Sequence, residues 1–415
     1  VLPVQDRGMD HAIVVDHFAA DRRSLRVALV TETFPPEVNG VARTMARVVD
    51  GLHARHHDIQ LVRPRQGVEQ PSDPAERFQQ VLTHGLPVPK YPNLRMGLPA
   101  KRALTRLWAT RRPDVVHIAT EGPLGWSALR AAMHLKLPVC SDFRTNFHAY
   151  SQHYGVGWLK SPIVAYLRGF HNRTGCTMVP TDALRRDLER LGFRHLVVVT
   201  RGVDARLFDP VRRSAALREQ WGVCESDLVV ACVGRLAAEK NLGVLLNTFE
   251  AIRAAQPRAR LLLVGDGPMR GQLQAQCPQA IFAGQRGGED LAAHYASADL
   301  FVFPSLTETF GNVTTEAMAS GLPVVAFDCA GAAQLIESGR NGMLADRGDP
   351  AMMIRQAVAL AADRSLCRLI GERARLTACA QDWDSVITRF EGVLEQVIAA
   401  QADPLTIKGA LPAPG

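Results

Sequence analysis

The stretch Leu300–Phe327, LFVFPSLTETFGNVTTEAMASGLPVVAF, carries a complete structural unit in its pattern of apolar residues. Leu300 to Pro304 is an apolar run of strand length closed by a proline. Asn312 to Ser320 repeats small and apolar residues at helical spacing behind a glycine, and Pro323 to Phe327 is a second short apolar run. Two buried strands joined through one helix predict a parallel βαβ unit, since antiparallel neighbours need only a tight turn. The same rhythm runs outward on the N-terminal side: Leu228 to Val233 (strand), Leu242 to Gln256 (helix), Arg260 to Val264 (strand, ending at Gly265-Asp266-Gly267) and Ala280 to Ala283. An earlier series precedes it. Its strands are expected at Arg26–Val30, Ile59–Val62, near Val81, at Asp114–Ile118 and at Pro138–Asp142, with helices near Val41–His53 and up to Leu135. Between the two series, Thr200-Arg201-Gly202-Val203-Asp204 interrupts the pattern as a glycine-bearing hinge. The fold class is therefore α/β, with two Rossmann-like domains whose ligands lie in the crevice facing the carboxyl ends of both sheets.

Composition sets the outer limits. With 415 residues, 47% of them hydrophobic and 21% charged, the chain has material for two cores, which excludes global disorder. No run reaches the ~20 apolar residues that cross a bilayer. Residues Val1 to Ser24 carry Asp6, Asp10, Asp16 and Asp21 and resemble no secretory signal. The eight cysteines include no C-x-x-C pair, so reduced, mostly buried thiols and a cytosolic location are expected. A net charge of +7 fits nucleic acid, an anionic membrane surface or phosphate-bearing small molecules. Nucleic acid is disfavoured, because no helix-turn-helix, zinc or RNA-binding signature is present and aromatic residues are sparse.

The candidate chemistry sits on two strand-end loops. Glu308 follows one strand, and Glu316 lies about one turn into the next helix. The backbone N–H groups of Thr309, Phe310, Gly311, Asn312 and Val313 between them are helix N-terminal donors suited to hydroxyls or an anion. Two flanking carboxylates suit a polyol; without a ligand they read as dipole-facing charge and a solvated loop acid. Arg235, after Gly234, and Lys240 stand five residues apart across a strand-to-helix turn. A guanidinium and an ammonium so spaced can grip one pyrophosphate and stabilise its charge as a bond to it breaks. Gly40 lets the opposite domain's backbone approach the same phosphates.

Taken together these motifs resemble the retaining glycosyltransferases of family four, which have the GT-B fold. Glu308 and Glu316 look like that family's paired-glutamate motif. Val233-Gly234-Arg235-Leu236 with Glu239-Lys240-Asn241 is similar to its diphosphate-binding pair. Val264-Gly265-Asp266-Gly267-Pro268 and Thr31-Glu32-Thr33-Phe34-Pro35-Pro36-Glu37-Val38-Asn39-Gly40-Val41 match its neighbouring loops, over roughly residues 25 to 400. The resemblance implies an acceptor-binding domain at 25–199, a nucleotide-sugar-binding domain at 200–382 and a helix at 383–402 returning to the first domain. Residues 1–24 and 403–415 are an extension and a tail. It implies catalytic roles for Arg235, Lys240 and Glu308, with Glu308 on the transferred sugar and Glu316 on the ribose. Donor contacts follow from Asn39, Gly40, Arg144, Gly234 and residues 309–313, and Gln285 and Arg286 border the base. Acceptor contacts fall to Glu121, Asn146 and His148.

One position departs from the pattern. Many relatives end the strand at Pro138–Phe143 in a histidine near the reacting centre, where this chain has Arg144, a phosphate binder rather than a base. His148 is an alternative occupant of that role, or a packed loop residue; His117 reads as a buried structural residue. No Asp-x-Asp pair stands at a suitable loop, so transfer without metal or cofactor is expected, with Arg235 and Lys240 in its place.

Thr120-Glu121-Gly122-Pro123-Leu124-Gly125, Thr145-Asn146-Phe147-His148 and Arg201-Gly202-Val203-Asp204 are similar to the branch of lipid mannosyltransferases that use GDP-mannose and a glycolipid acceptor. Neighbouring branches make glucosyl or sulfoquinovosyl diacylglycerol from UDP-sugars, and a nucleotide-sugar epimerase shares the fold. Between Arg95 and Arg112, Arg95, Lys101, Arg102 and Arg106 alternate with Met96, Leu98, Leu104, Leu107 and Trp108. A basic helix with an apolar face there fits an anionic membrane surface, at the inner face of the cytoplasmic membrane. The same pattern also fits a solvated helix packing Leu104 and Leu107 into the first domain.

Overall fold

A computed structural model describes residues 24–37, 39–66, 78–88, 91–144 and 160–402. Asn146 and His148, the expected tail at 403–415 and all but the last residue of the expected extension lie outside these. The first lobe is a sheet of β1 (Arg26–Val30), β2 (Asp58–Pro64), β3 (Gln79–Thr83), β6 (Val115–Ile118), β7 (Val139–Asp142), β8 (Cys176–Val179) and β9 (Leu196–Val198). A small antiparallel hairpin, β4 (Gly85–Val88) with β5 (Tyr91–Gly97), stands apart from it. The second lobe holds β10 (Val229–Val233), β11 (Arg260–Val264), β12 (Ile281–Gly284), β13 (Leu300–Phe303), β14 (Val324–Phe327) and β15 (Met343–Ala345).

Strand order is β3-β2-β1-β6-β7-β8-β9 in the first sheet and β12-β11-β10-β13-β14-β15 in the second, with every pairing parallel. In both, the chain starts in the middle, winds to one edge and then crosses to the other side. The order reverses between β1 and β6 and between β10 and β13, and loops at those strand ends diverge to open a crevice. The inner strands are buried on both faces, which is why they read as unbroken apolar runs, while the edge strands β3, β9 and β12 are half-buried.

The last helix, Trp383–Ala402, leaves the second lobe and packs on the first. Val386, Ile387, Phe390, Val393, Leu394 and Val397 share one core with Met45, Val49 and Leu52 of the Gly40–Ala54 helix. Arg55 fastens it, donating to Glu391 Oε2 at 2.7 Å and Asp384 Oδ1 at 2.6 Å, and His57 Nε2 lies 3.0 Å from Glu391 Oε1. At the hinge, Val203 pairs with Asp382, and a Cβ on Gly202 would lie 2.7 Å from the Trp383 ring. The two interlobe crossings therefore run side by side.

The basic segment differs from the sequence expectation. Arg95 lies in β5, and the helix begins only at Lys101, because Pro87 and Pro92 suit an extended hairpin arm rather than a helix. Within the Lys101–Thr110 helix, Leu104 and Trp108 are fully buried in the first-lobe core, so its apolar stripe is used in folding. Lys101, Arg102 and Arg106 face solvent.

The ends of β10 and β11 meet closely. Gly234 (φ +148°) and Gly265 (φ +137°) both adopt backbone that side chains avoid, and a Cβ on Gly265 would sit 1.9 Å from the Gly234 carbonyl oxygen. Gly265→Ala is therefore expected to destabilise the second lobe by about 2 kcal/mol or more, read as a lower urea midpoint. An unchanged midpoint would contradict this packing.

Candidate active site

The second lobe's reversal point carries the main cluster. From the end of β10 the chain turns through Gly234 to Arg235, Glu239 and Lys240; from the neighbouring β13 it runs through Pro304–Gly311 into the Asn312–Ala319 helix. Adjacent strands thus bring the two loops together. Lys240 Nζ is ion-paired with Glu308 Oε1, which also accepts from Ser305 Oγ at 2.8 Å. Arg235 Nη2 lies 2.8 Å from Glu239 Oε1, and Thr307 Oγ1 donates to the Glu239 carbonyl at 3.0 Å, tying the two loops to one another. Gly311 (φ +86°) turns the chain into the helix, placing Asn312 at its first position.

Glu316 is buried, one turn further on. Tyr295 donates its hydroxyl to Glu316 Oε2 at 3.0 Å, and Arg43 from the first lobe stands 3.9 Å from Oε1. Burial raises the Glu316 pKa above the usual carboxylate range, while Arg43 and the Tyr295 hydrogen bond oppose the rise. The Phe310 ring is buried in the second-lobe core and its carbonyl accepts from Gly331 N at 2.7 Å. The Val313 side chain is likewise packed against that core, so the part expected of both residues rests on their backbone N–H groups.

On the first lobe, the Gly40–Ala54 helix aims its N-terminus at the crevice, and a Cβ on Gly40 would meet nothing within 4 Å. Asn39 spends its amide locally: Oδ1 accepts from Ala42 N at 2.8 Å and Nδ2 donates to Thr33 Oγ1 at 2.6 Å. It is a helix cap, and its side chain is not free for a donor. Arg144 is buried, with Nε 2.5 Å from Asp142 Oδ2, which also lies 3.0 Å from His117 Nε2. Its carbonyl accepts from Thr309 Oγ1 across the lobes at 3.2 Å. His117 is fully buried against the Phe390 ring, 4.7 Å between centroids, as a structural residue should be.

At the first lobe's reversal point two carboxyls meet, of which sequence reasoning singled out only Glu121. Glu32, at the end of β1, accepts from Leu124 N at 3.0 Å and so caps the Pro123–His134 helix, whose own N-cap is Gly122. Burial pushes Glu32 up to about 7 despite backbone N–H bonds from Leu124, Gly97 and Gly125. Burial also pushes Glu121 up to about 7, with the charges of Glu32 and Asp142 adding to the rise. Arg43, Tyr295 and Glu32 were missed because each acts across a sheet or between lobes, where no local spacing marks it.

Between the Gly40–Ala54 helix and the second lobe lies a cleft of about 570 Å³. Glu316, Asn312, Gln285 and Arg286 line it from one side, Arg43, Arg47 and Asp50 from the other. Arg286 is held by the Ala283 carbonyl at 2.8 Å and by Asp290 at 3.1 Å. Arg47 Nη2 bonds Asp204 Oδ2 at 2.8 Å beside the hinge. Cations and acids from both lobes thus border one space of nucleotide size, open to a ligand that carries both phosphates and hydroxyls.

Residues 38–207 match the family model described as Glycosyltransferase Family 4, and residues 227–363 match Glycosyl transferases group 1. A GDP-mannose-dependent alpha-mannosyltransferase of Mycolicibacterium smegmatis is 36% identical over 379 residues, 89% of this chain and 98% of that protein. The sulfoquinovosyl transferase SQD2 of Arabidopsis thaliana is 30% identical over 388 residues, 90% of this chain and 74% of that protein. Among solved structures, the sucrose-phosphate synthase of Thermosynechococcus elongatus superposes with a TM-score of 0.75 at 19% identity, covering 91% of this chain and all of that one. Its likeness extends to the two-lobed GT-B architecture. With a relative this similar along nearly its whole length, and with both lobes matched, the chain belongs to the group 1, family-four glycosyltransferases.

Proposed function

We propose that this enzyme is a retaining mannosyltransferase that moves mannose from GDP-mannose to a lipid-linked or glycolipid acceptor. The observation that carries the site is the meeting of Lys240 and Glu308 from adjacent strand-end loops. In the proposed reaction Lys240 and Arg235 hold the donor diphosphate and stabilise the charge it gains on departure. Glu308 then takes hydroxyls of the transferred sugar and Glu316 those of the ribose, with Gln285 and Arg286 beside the base. Gly40 and the helix N-terminus behind it approach the phosphates from the first lobe, beside Arg144. Departure and attack occur on one face of the sugar, so no covalent intermediate is required. Two fixed cations at the leaving group supply what a divalent metal would, and transfer is proposed to need none.

The name and similarity of the mycolicibacterial relative support mannose and GDP. The SQD2 relative favours a second reading, a UDP-sugar-dependent diacylglycerol glycosyltransferase. The epimerase reading is set aside with the family assignment. Thermal-shift screening with GDP, UDP and ADP separates the two transferase readings: GDP alone is expected to raise the melting temperature, and a rise with UDP alone would favour the second.

Lys240→Ala and Glu308→Ala are each expected to lower mannosyl transfer from GDP-mannose to a polar-lipid extract by at least about 10²-fold, with the fold retained by far-UV circular dichroism. Wild-type turnover in either variant would refute the site.

Membrane attachment is proposed through Lys101, Arg102 and Arg106 on the solvent face of their helix, with Arg95 on the neighbouring hairpin, at the inner face of the cytoplasmic membrane. No helix among the described residues is long and apolar enough to cross a membrane. Leu86 and Met96, paired across the hairpin, are both exposed and would enter the interface beside these cations. Reversing Arg102 and Arg106 to glutamate should weaken binding to phosphatidylglycerol vesicles by about 10³-fold, at about 1 kcal/mol per lost cation and as much again for its reversal. Unchanged binding would remove the claim.

A further inference from the structure

The loop after β6 contains a polar group that its surroundings leave unmatched. Glu121 is 95% buried, and its Oε1 has no hydrogen-bond partner among the described residues. A buried carboxyl oxygen without a donor costs free energy, which a ligand hydroxyl would recover. The loop around it is firmly built. Glu32 N donates to Thr120 Oγ1 at 2.9 Å, Leu124 N donates to Glu32 Oε1 at 3.0 Å, and Tyr166 donates its hydroxyl to the Glu121 carbonyl at 2.6 Å. A Cβ on Gly122 would fall 2.2 Å from Glu32 Oε1, so the glycine is what lets the Glu32 carboxyl lie against the residue following Glu121. The unmatched oxygen is therefore held in place by a rigid frame.

We propose that Glu121 and Glu32, on the adjacent loops after β1 and β6 at the first lobe's reversal point, form a linked carboxyl pair in which Glu121 takes a hydroxyl of a polyol acceptor and Glu32 sets its protonation state. This rests on the transferase reading above, with the first lobe on the acceptor side. The two acids differ in how they are satisfied. Glu32 has backbone donors at a helix N-terminus, which favour its charged form. Glu121 has its own backbone N–H as the one donor that favours ionisation, and a ligand hydroxyl supplies the missing second.

The third acid near the pair is already engaged. Asp142 at the end of β7 is engaged by His117 and by Arg144, and Tyr166 contacts the Glu121 carbonyl rather than its carboxyl. Glu32 and Asp142 both make ionisation of Glu121 harder, and burial adds to them. The charged carboxylate accepts a hydroxyl hydrogen bond more strongly than the neutral acid does. Acceptor use therefore rises with pH as Glu121 loses its proton, around pH 7, where burial places its pKa.

The test uses the full chain, GDP-mannose and a total polar-lipid extract of the producing cells, with initial rates taken between about pH 5.5 and pH 9 at limiting lipid and at limiting donor. At limiting lipid the rate is expected to rise through about pH 7. Glu121→Gln should flatten that limb and lower the rate at its upper end by about tenfold or more, while GDP affinity by calorimetry stays within about twofold. Glu32→Gln keeps an oxygen for Leu124 N but removes the neighbouring charge, so the limb should move to lower pH by about half a unit or more. A merely structural pair would leave the limb in place in both variants, and that result overturns the inference. So does an equal loss of lipid use and GDP affinity. No transfer by the unaltered chain overturns the transferase reading together with this inference; normal transfer with an unmoved limb overturns this inference alone.

Discussion

The contact on which the candidate site depends is the ion pair between Lys240 and Glu308. Each comes from a loop at the end of one of two adjacent strands, and each side chain is less than one-fifth exposed. A lysine and a glutamate so far out of water are costly apart and acceptable together. Without a substrate they neutralise one another, as Arg235 and Glu239 do beside them. On the proposed function a sugar diphosphate replaces both halves of the Lys240–Glu308 pair at once, giving phosphate to the cation and hydroxyls to the acid. A ligand offering only one of these leaves the other partner stranded, so the pair itself discriminates in favour of the whole donor.

The fold supplies the adjacency. In each sheet the chain starts centrally, and the reversal of strand order opens a crevice at neighbouring strand ends. In the second lobe that crevice holds Lys240, Glu308 and Glu316; in the first it holds Glu32 and Glu121. Among the described residues the direct contacts across the cleft include Arg43 near Glu316, Thr309 on the Arg144 carbonyl, Asp182 N on Gln334 Oε1, and Arg47 on Asp204 beside the hinge. The larger tie is covalent and apolar, the Trp383–Ala402 helix that returns from the second lobe into the core of the first. Rigid lobes with polar contacts across the cleft are what a closing two-lobed enzyme requires.

Much of this was legible in the sequence, for a physical reason. Parallel strands buried on both faces must be apolar throughout, so Leu300–Phe303, Val324–Phe327, Val229–Val233 and Arg260–Val264 announce themselves, and with them the loops bearing Arg235, Lys240, Glu308 and Glu316. What escaped was set by tertiary contact. The β4–β5 hairpin is hidden by its prolines, and of the two readings the basic helix allowed for its apolar stripe, packing into the first domain is the one its core shows. Phe310 and Asn39 sit within motifs yet turn out to be a core ring and a helix cap. Glu32, conversely, lies within a quoted motif, but its partnership with Glu121 appears only when β1 and β6 are seen to be neighbours.

The exchange at the Lys240–Glu308 pair is tested most directly by calorimetry of GDP and GDP-mannose binding to the wild type and to Glu308→Gln. Removing the acid's charge releases Lys240 from its resting partner, so GDP should bind the variant at least as tightly as the wild type. GDP-mannose should lose whatever affinity its sugar adds, on the order of tenfold. If Glu308→Gln instead weakens GDP and GDP-mannose alike, the acid serves the nucleotide or the fold rather than the sugar, and the account of the site is wrong.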